Sequence, residues 1–239
     1  MARIFKIDPD NKLVVLLAGI GLFIALLLYV TYPPLREASS IYGAIAIVGL
    51  FFYTNPIFQD YLIGIPKKGL LKLLLIGGAI GIGFVVLPKF IPGLSMGVPI
   101  VPASVDSNLK WVVICLFAPV LEEIATRGAL LGFIKYITSK RGVSTFELWI
   151  AIVAQAIFFV LLHALAYASG WYNAPAWTGQ LGVFSQLGAV SASLIAAGIF
   201  GLIMGFIVTR KKINSLSVAI LSHYIVNQLL FVGLVVALG

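Results

Sequence analysis

The sequence predicts an all-α fold, a polytopic transmembrane bundle of about seven membrane helices. Three observations carry this. Hydrophobic residues make up 61% of the 239, and charged residues only 10%. Mean hydropathy is +1.11, leaving too little polar side chain to clothe a water-facing surface. The apolar residues also recur in runs close to the roughly 20 residues needed to span a bilayer.

Each segment is delimited by its breakers. The first, 13–32, follows MARIFKIDPDNK and is closed by Pro33-Pro34; it is too long for a signal-peptide core, and no small-residue cleavage site follows it, so it reads as a retained helix. The second, about 41–62, is interrupted by TNP at 54–56, and the third, about 69–87, is closed by Pro88. The remaining four fall at about 109–137, 146–167, 187–209 and 216–238. They form one membrane domain, divisible into residues 1–108, helices with a connecting loop, and residues 109–239, where the polar motifs lie.

The net charge of +8 is not a nucleic-acid signal. Its lysines and arginines sit in short clusters between apolar runs (Arg3, Lys6 and Lys12; Lys67, Lys68 and Lys72; Lys135, Lys140 and Arg141; Arg210, Lys211 and Lys212). Their alternation places the N-terminus in the cytoplasm and the C-terminus outside. Trp111, Trp149, Trp171 and Trp177 fall near helix ends, as an interfacial aromatic belt requires. The single cysteine, Cys115, lies in an apolar run and reads as a packed core thiol. Two connections, 88–108 and 167–180, are long enough to act as lids or passive connectors. Gly77-x-x-x-Gly81 and Ala197-x-x-x-Gly201-x-x-x-Gly205 read as close helix-packing faces.

Ionisable groups within membrane helices are costly and mark function by default. Here they are concentrated: Glu122, Glu123 and Arg127 in the fourth segment, His163 in the fifth with Gln155 two turns earlier, and His223 with Asn227 in the seventh. The chain has only two histidines, and both are in these segments, which points to one shared polar site. Residues four apart share a helix face. Glu123 and Arg127 therefore form a supporting ion pair, and Glu122, about 100° away, faces the bundle centre. Phe159 packs beside His163, and His223 and Asn227 form a two-pronged donor. Pro119 removes a backbone donor and loosens the helix just before the acids.

An acid and an imidazole converging on one water orient it and accept its proton; Glu122 and His163 are that pair. His223 and Asn227 donate to the oxyanion formed when the water attacks a carbonyl. No metal is needed in this scheme. The alternative is zinc held by Glu122, His163 and His223 with water completing the shell; the zincin motif H-E-x-x-H is absent.

EEIATR (122–127), FVLLH (159–163) and HYIVN (223–227) match E-E-x-x-x-R, F-x-x-x-H and H-x-x-x-N. In their order and helical setting they resemble the CPBP intramembrane proteases, also called the CAAX prenyl protease type II or Abi family. The resemblance covers about residues 109–230. It implies an endopeptidase, a membrane-embedded hydrolase, with Glu122, His163, His223 and Asn227 in the site and Glu123, Arg127 and Phe159 in support. The implied substrate is a protein or peptide at the lipid bilayer, in some members a prenylated C-terminus that loses its last three residues; other members resemble bacteriocin-immunity proteins. A non-catalytic immunity or scaffold role on the same fold and a proton-coupled transporter are the rival readings. No internal repeat of the kind common in transporters is visible.

Overall fold

The computed structural model describes residues 8–86, 109, 112–138, 145–168 and 191–238. Seven helices and no strand occur among them: α1 (Lys12–Thr31), α2 (Arg36–Thr54), α3 (Leu70–Val86), α4 (112–138), α5 (Thr145–Ala168), α6 (Ser191–Val208) and α7 (Leu216–Leu238). The long connections 88–108 and 167–180 lie wholly or almost wholly outside the described residues, as do Trp111, Trp171 and Trp177.

The chain enters α1 through a turn in which the Asp8 carboxylate accepts from the Asp10 N–H at 2.8 Å, a local bond that competes with helix and so marks its start. Pro33-Pro34 ends it, and α2 follows at once. The second segment departs from its expected span of 41–62. Its helix begins five residues earlier and stops at Thr54, because Pro56 cannot donate and Asn55 caps a turn, accepting from the Ile57 N–H at 3.0 Å. The apolar residues beyond the break are buried nonetheless. Phe58, Leu62, Ile63 and Ile65 fold under the helices, tied there by the Tyr53 hydroxyl, which donates to the Ile63 carbonyl at 2.6 Å. Gly69, at φ +73°, supplies the left-handed turn into α3.

α1 packs along α2, α3 along α7 and α5 along α6, and α4 touches members of all three pairs. The pairing of α3 with α7 is as close as its sequence allows. A Cβ at Gly77 would stand 2.7 Å from the Val218 carbonyl, and one at Gly81 2.7 Å from the Ser222 carbonyl. The Ser222 hydroxyl seals the seam by donating to the Gly77 carbonyl at 2.7 Å. Gly201 does the same for α6, its missing Cβ being 3.1 Å from Ala156 on α5.

Centrality explains the composition of α4. Every residue from Leu121 to Ala129 is buried, so no face of this stretch is free for solvent, and its three charges must find partners inside. The helix is not uniform: Val112–Phe117 and Ile124–Leu130 have widened π turns, flanking an α turn at Ala118–Glu123 that opens on Pro119. Such widened turns re-aim side chains and frequently mark functional positions.

By length and composition, Lys12–Thr31 and Thr145–Ala164 can cross a membrane; Leu70–Val86, Leu194–Val208 and Leu216–Leu230 are apolar but shorter. The exterior is markedly oily, with Phe23 67%, Val30 71%, Leu71 72%, Leu75 67% and Phe146 73% exposed.

Candidate active site

Glu122 and Glu123 are neighbours on a helix, so their side chains diverge by about 100° and meet different partners. Glu123 is fully buried. Its Oε1 accepts from Arg127 Nη1 at 2.8 Å and from His223 Nδ1 at 2.9 Å. The i,i+4 pair read from the sequence is thus present, and α7 adds a third member to it. Arg127 is itself fully buried, and Nη1 makes a further bond to the Thr126 hydroxyl at 3.0 Å.

Glu122 turns towards α2. Its Oε1 accepts from the Tyr42 hydroxyl at 3.1 Å, and its Oε2 stands 3.9 Å from His223 Nε2. The imidazole of His223 is therefore flanked by both carboxylates, one on each ring nitrogen. Because Nδ1 donates to Glu123, Nε2 is the nitrogen presented to Glu122, and the bond on Nδ1 fixes which way the ring faces. Oε2 of Glu122 is buried and has no hydrogen-bond partner among the described residues, which makes it the carboxylate oxygen open to a bound reactant.

Phe159 explains how His163 joins this group. The Arg127 guanidinium lies over its ring, 4.1 Å from the centroid, close enough for a cation–π contact. The His163 ring packs against it at 4.4 Å between centroids, and the ring of His223 meets it edge-on at 5.7 Å. His163 Nδ1 lies 2.9 Å from the Phe159 carbonyl; as donor there, it leaves Nε2 as the free acceptor. Phe200 of α6 closes the cluster, 5.3 Å from the His223 ring. Asn227 lies one turn beyond His223 on the same stripe of α7, half-buried.

The structure thus gathers Glu122, Glu123, Arg127, Phe159, His163 and His223 from α4, α5 and α7 into one cluster, buried except for the half-buried His163. Of the two imidazoles, His223 stands within ion-pair distance of Glu122, whereas the sequence reading pairs Glu122 with His163 on the chemistry of water activation. One contributor escaped the sequence reading, and another had no role assigned by it. Tyr42 stands in α2 with only Ser39 polar at helical spacing and no ionisable group there to flag it. Gln155, left unassigned there, donates through Nε2 to the Gly201 carbonyl at 2.7 Å and to the Ile152 carbonyl at 2.9 Å, stitching α5 to α6 behind Arg127. Among the described residues, no three His, Cys, Asp or Glu side chains are grouped so as to hold a metal ion. Cys115 is fully buried among apolar neighbours.

A family model described as type II CAAX prenyl endopeptidase Rce1-like matches residues 104–229. That interval contains all of α4, α5 and α6 and the stretch of α7 bearing His223 and Asn227. No curated protein and no solved structure matches the chain.

Proposed function

This chain belongs to the Rce1-like type II CAAX prenyl endopeptidase family, a protease family, and we propose that it is an intramembrane endopeptidase that hydrolyses a peptide bond near the C-terminus of a membrane-bound, prenylated protein. The observation that carries this reading is the held carboxylate of Glu122. One of its oxygens is anchored by Tyr42, the other stands buried, without a hydrogen-bond partner among the described residues, beside an imidazole fixed by Glu123.

In this mechanism Glu122 and His163 hold the attacking water, and one of them takes its proton as the oxygen bonds to the scissile carbonyl carbon. The carbonyl oxygen becomes an oxyanion, which His223 Nε2 and the Asn227 amide stabilise. For His223 this role requires a proton on Nε2 as well, since Nδ1 already donates to Glu123. Collapse of the tetrahedral adduct breaks the C–N bond. The captured proton passes to the departing amine, leaving a new carboxyl terminus and a released peptide. Tyr42 acts as a positioning residue, keeping Glu122 turned to the centre.

The scheme needs no metal. Stoichiometric zinc in the purified protein, lost when His163 and His223 are substituted, would overturn that part of it.

Membrane residence follows from the inverted distribution of polarity. Glu122, Glu123, Arg127 and Gln155 in mid-helix are interior, while large apolar side chains face outward along α1, α3, α5 and α6, an arrangement water would not tolerate and lipid requires. We take the bundle as multi-pass, with its N-terminus on the cytoplasmic side.

The decisive assay reconstitutes the protein in liposomes with a farnesylated peptide ending in a CAAX sequence, and looks by mass spectrometry for the released tripeptide. Release by the intact protein, abolished in a folded Glu122→Gln variant, is the expected result. Undiminished release by that variant would refute the assignment.

A further inference from the structure

Away from the active-site cluster, an apolar cleft of about 330 Å³ runs between α1, α3, α4 and α7, within the size range of ligand sites. Leu13, Leu17, Leu70, Leu74, Val120 and Ile220 are among its lining side chains. One of its few polar members, Ser217, has its hydroxyl engaged with Ser215 at 2.6 Å. From Ser217 to Tyr224 the cleft follows α7 for about 10 Å.

Charge gathers at one end of it. Three separate stretches are laced together there: the Ile65 N–H donates to the Asp10 carbonyl, and the Leu216 N–H to the Gly64 carbonyl, each at 2.9 Å. The lacing brings the start of α1, the 60s turn and the turn before α7 to one level. Exposed Lys12 precedes the lining Leu13, exposed Lys67 and Lys68 stand between the lining Ile65 and Leu70, and exposed Lys211 and Lys212 come five or six residues before the lining Ser217, so lysines outnumber the exposed Asp8, Asp10 and Asp60 in these three stretches. An oily slot whose lining residues are flanked in sequence by exposed lysines is complementary to an amphiphile with an anionic head, and basic clusters are attracted to anionic leaflets.

We propose that this cleft binds one anionic phospholipid, the first part of an acyl chain lying between α1, α3 and α7 and the phosphate resting among Lys12, Lys67 and Lys68. The site rests on the membrane reading above but not on peptidase chemistry. Its inner wall, Pro119 and Val120 on α4 and Leu221 and Tyr224 on α7, is the back of the two stretches that carry Glu122 and His223. A bound chain therefore supports the packing that holds those two residues face to face.

Native mass spectrometry of the full chain released from detergent tests this, using phosphatidylglycerol, phosphatidylcholine with the same chains, and glycerol 3-phosphate as probes. One phosphatidylglycerol should be retained, at least about ten-fold more tightly than phosphatidylcholine, and glycerol 3-phosphate should not be held. Neutralising two lysines, in Lys67→Gln/Lys68→Gln, should weaken retention about 30-fold. Arg36→Glu, at the start of α2, should leave it unchanged. Leu17→Trp and Leu74→Trp, each filling the slot, should abolish it while retaining helical circular dichroism. Equal retention of the two lipids, or retention that survives both tryptophan variants, overturns the proposal. So does displacement of the lipid by a farnesylated peptide at equimolar concentration, which would give the cleft to substrate instead. Binding is read without turnover, so an inactive protein that still selects phosphatidylglycerol sinks the peptidase reading and leaves the lipid site standing.

Discussion

Removing the Glu123 carboxylate should destabilise the protein more than removing any other single acid, Glu122 included. Glu123→Ala deletes the acceptor shared by Arg127 Nη1 at 2.8 Å and His223 Nδ1 at 2.9 Å. Both side chains are at least nine-tenths buried, so neither regains water in exchange. Orphaning one partner of a buried ion pair costs about 3–5 kcal/mol; the neighbouring Glu122 offsets part of that, and the lost imidazole bond adds roughly 1 kcal/mol. For a chain of this size, each kcal/mol moves the melting temperature by about 2–4 °C. A fall of roughly 6–20 °C is therefore expected in a detergent-solubilised thermal melt. The double variant Glu123→Leu/Arg127→Met should recover most of the loss, because replacing both charges with apolar groups of similar volume leaves no orphan. A Glu123→Ala protein melting within about 2 °C of the parent would refute the reasoning. A double variant no better than the single one would show that the cost lies in His223 rather than in Arg127.

Tyr42→Phe removes only the hydroxyl that donates to Glu122, leaving the ring and its edge contact with Phe117 at 5.4 Å in place; kcat should fall about ten-fold with KM unchanged in the peptide-release assay, and an equal loss in KM would deny the positioning role. Phe159→Leu deletes the ring between Arg127 and His163, costing about 1–2 kcal/mol in a thermal melt and lowering activity, whereas Phe159→Tyr should retain the stacking. Gly81→Val forces a side chain against the Ser222 carbonyl next to His223; overpacking of about 1–3 kcal/mol should appear in the melt together with lost activity, and Gly19→Val, where the space is open, is the silent control.

What the sequence disclosed was largely local. The helices lie within a few residues of their expected places wherever a proline, glycine or charge marks their ends. The i,i+4 relations Glu123–Arg127 and Phe159–His163 are both present as contacts, and Gly77-x-x-x-Gly81 does pack tightly against α7. The second segment was misjudged because Phe58, Leu62, Ile63 and Ile65 are as apolar as a helix interior and are buried like one; only Asn55-Pro56 told against continuation. Tyr42 was invisible for a different reason. Its partner is 80 residues away, and a lone tyrosine in an apolar run gives no periodic signal. The contact of His223 with Glu123, 100 residues apart, was hidden by a satisfactory local alternative. Arg127 already accounted for Glu123, and nothing in spacing says that one carboxylate oxygen serves two donors.

That shared oxygen bears on why two acids stand side by side. A single carboxylate cannot both neutralise a buried guanidinium and remain free to accept a proton, since the first task fixes its charge and the second requires the charge to change. Adjacent positions on a helix separate the tasks by about 100°: Glu123 faces Arg127, and Glu122 faces Tyr42. His223 then joins what the helix separates, with one ring nitrogen on Glu123 Oε1 and the other 3.9 Å from Glu122 Oε2. The structural pair thereby aims the imidazole that faces the reactive acid. Glu123→Gln, which keeps an oxygen for His223 but gives up the charge opposite Arg127, should accordingly lose stability while retaining more activity than Glu123→Ala. Were the two variants equally inactive at a temperature where both remain folded, Glu123 would be acting by its charge on the reaction itself rather than by steering His223.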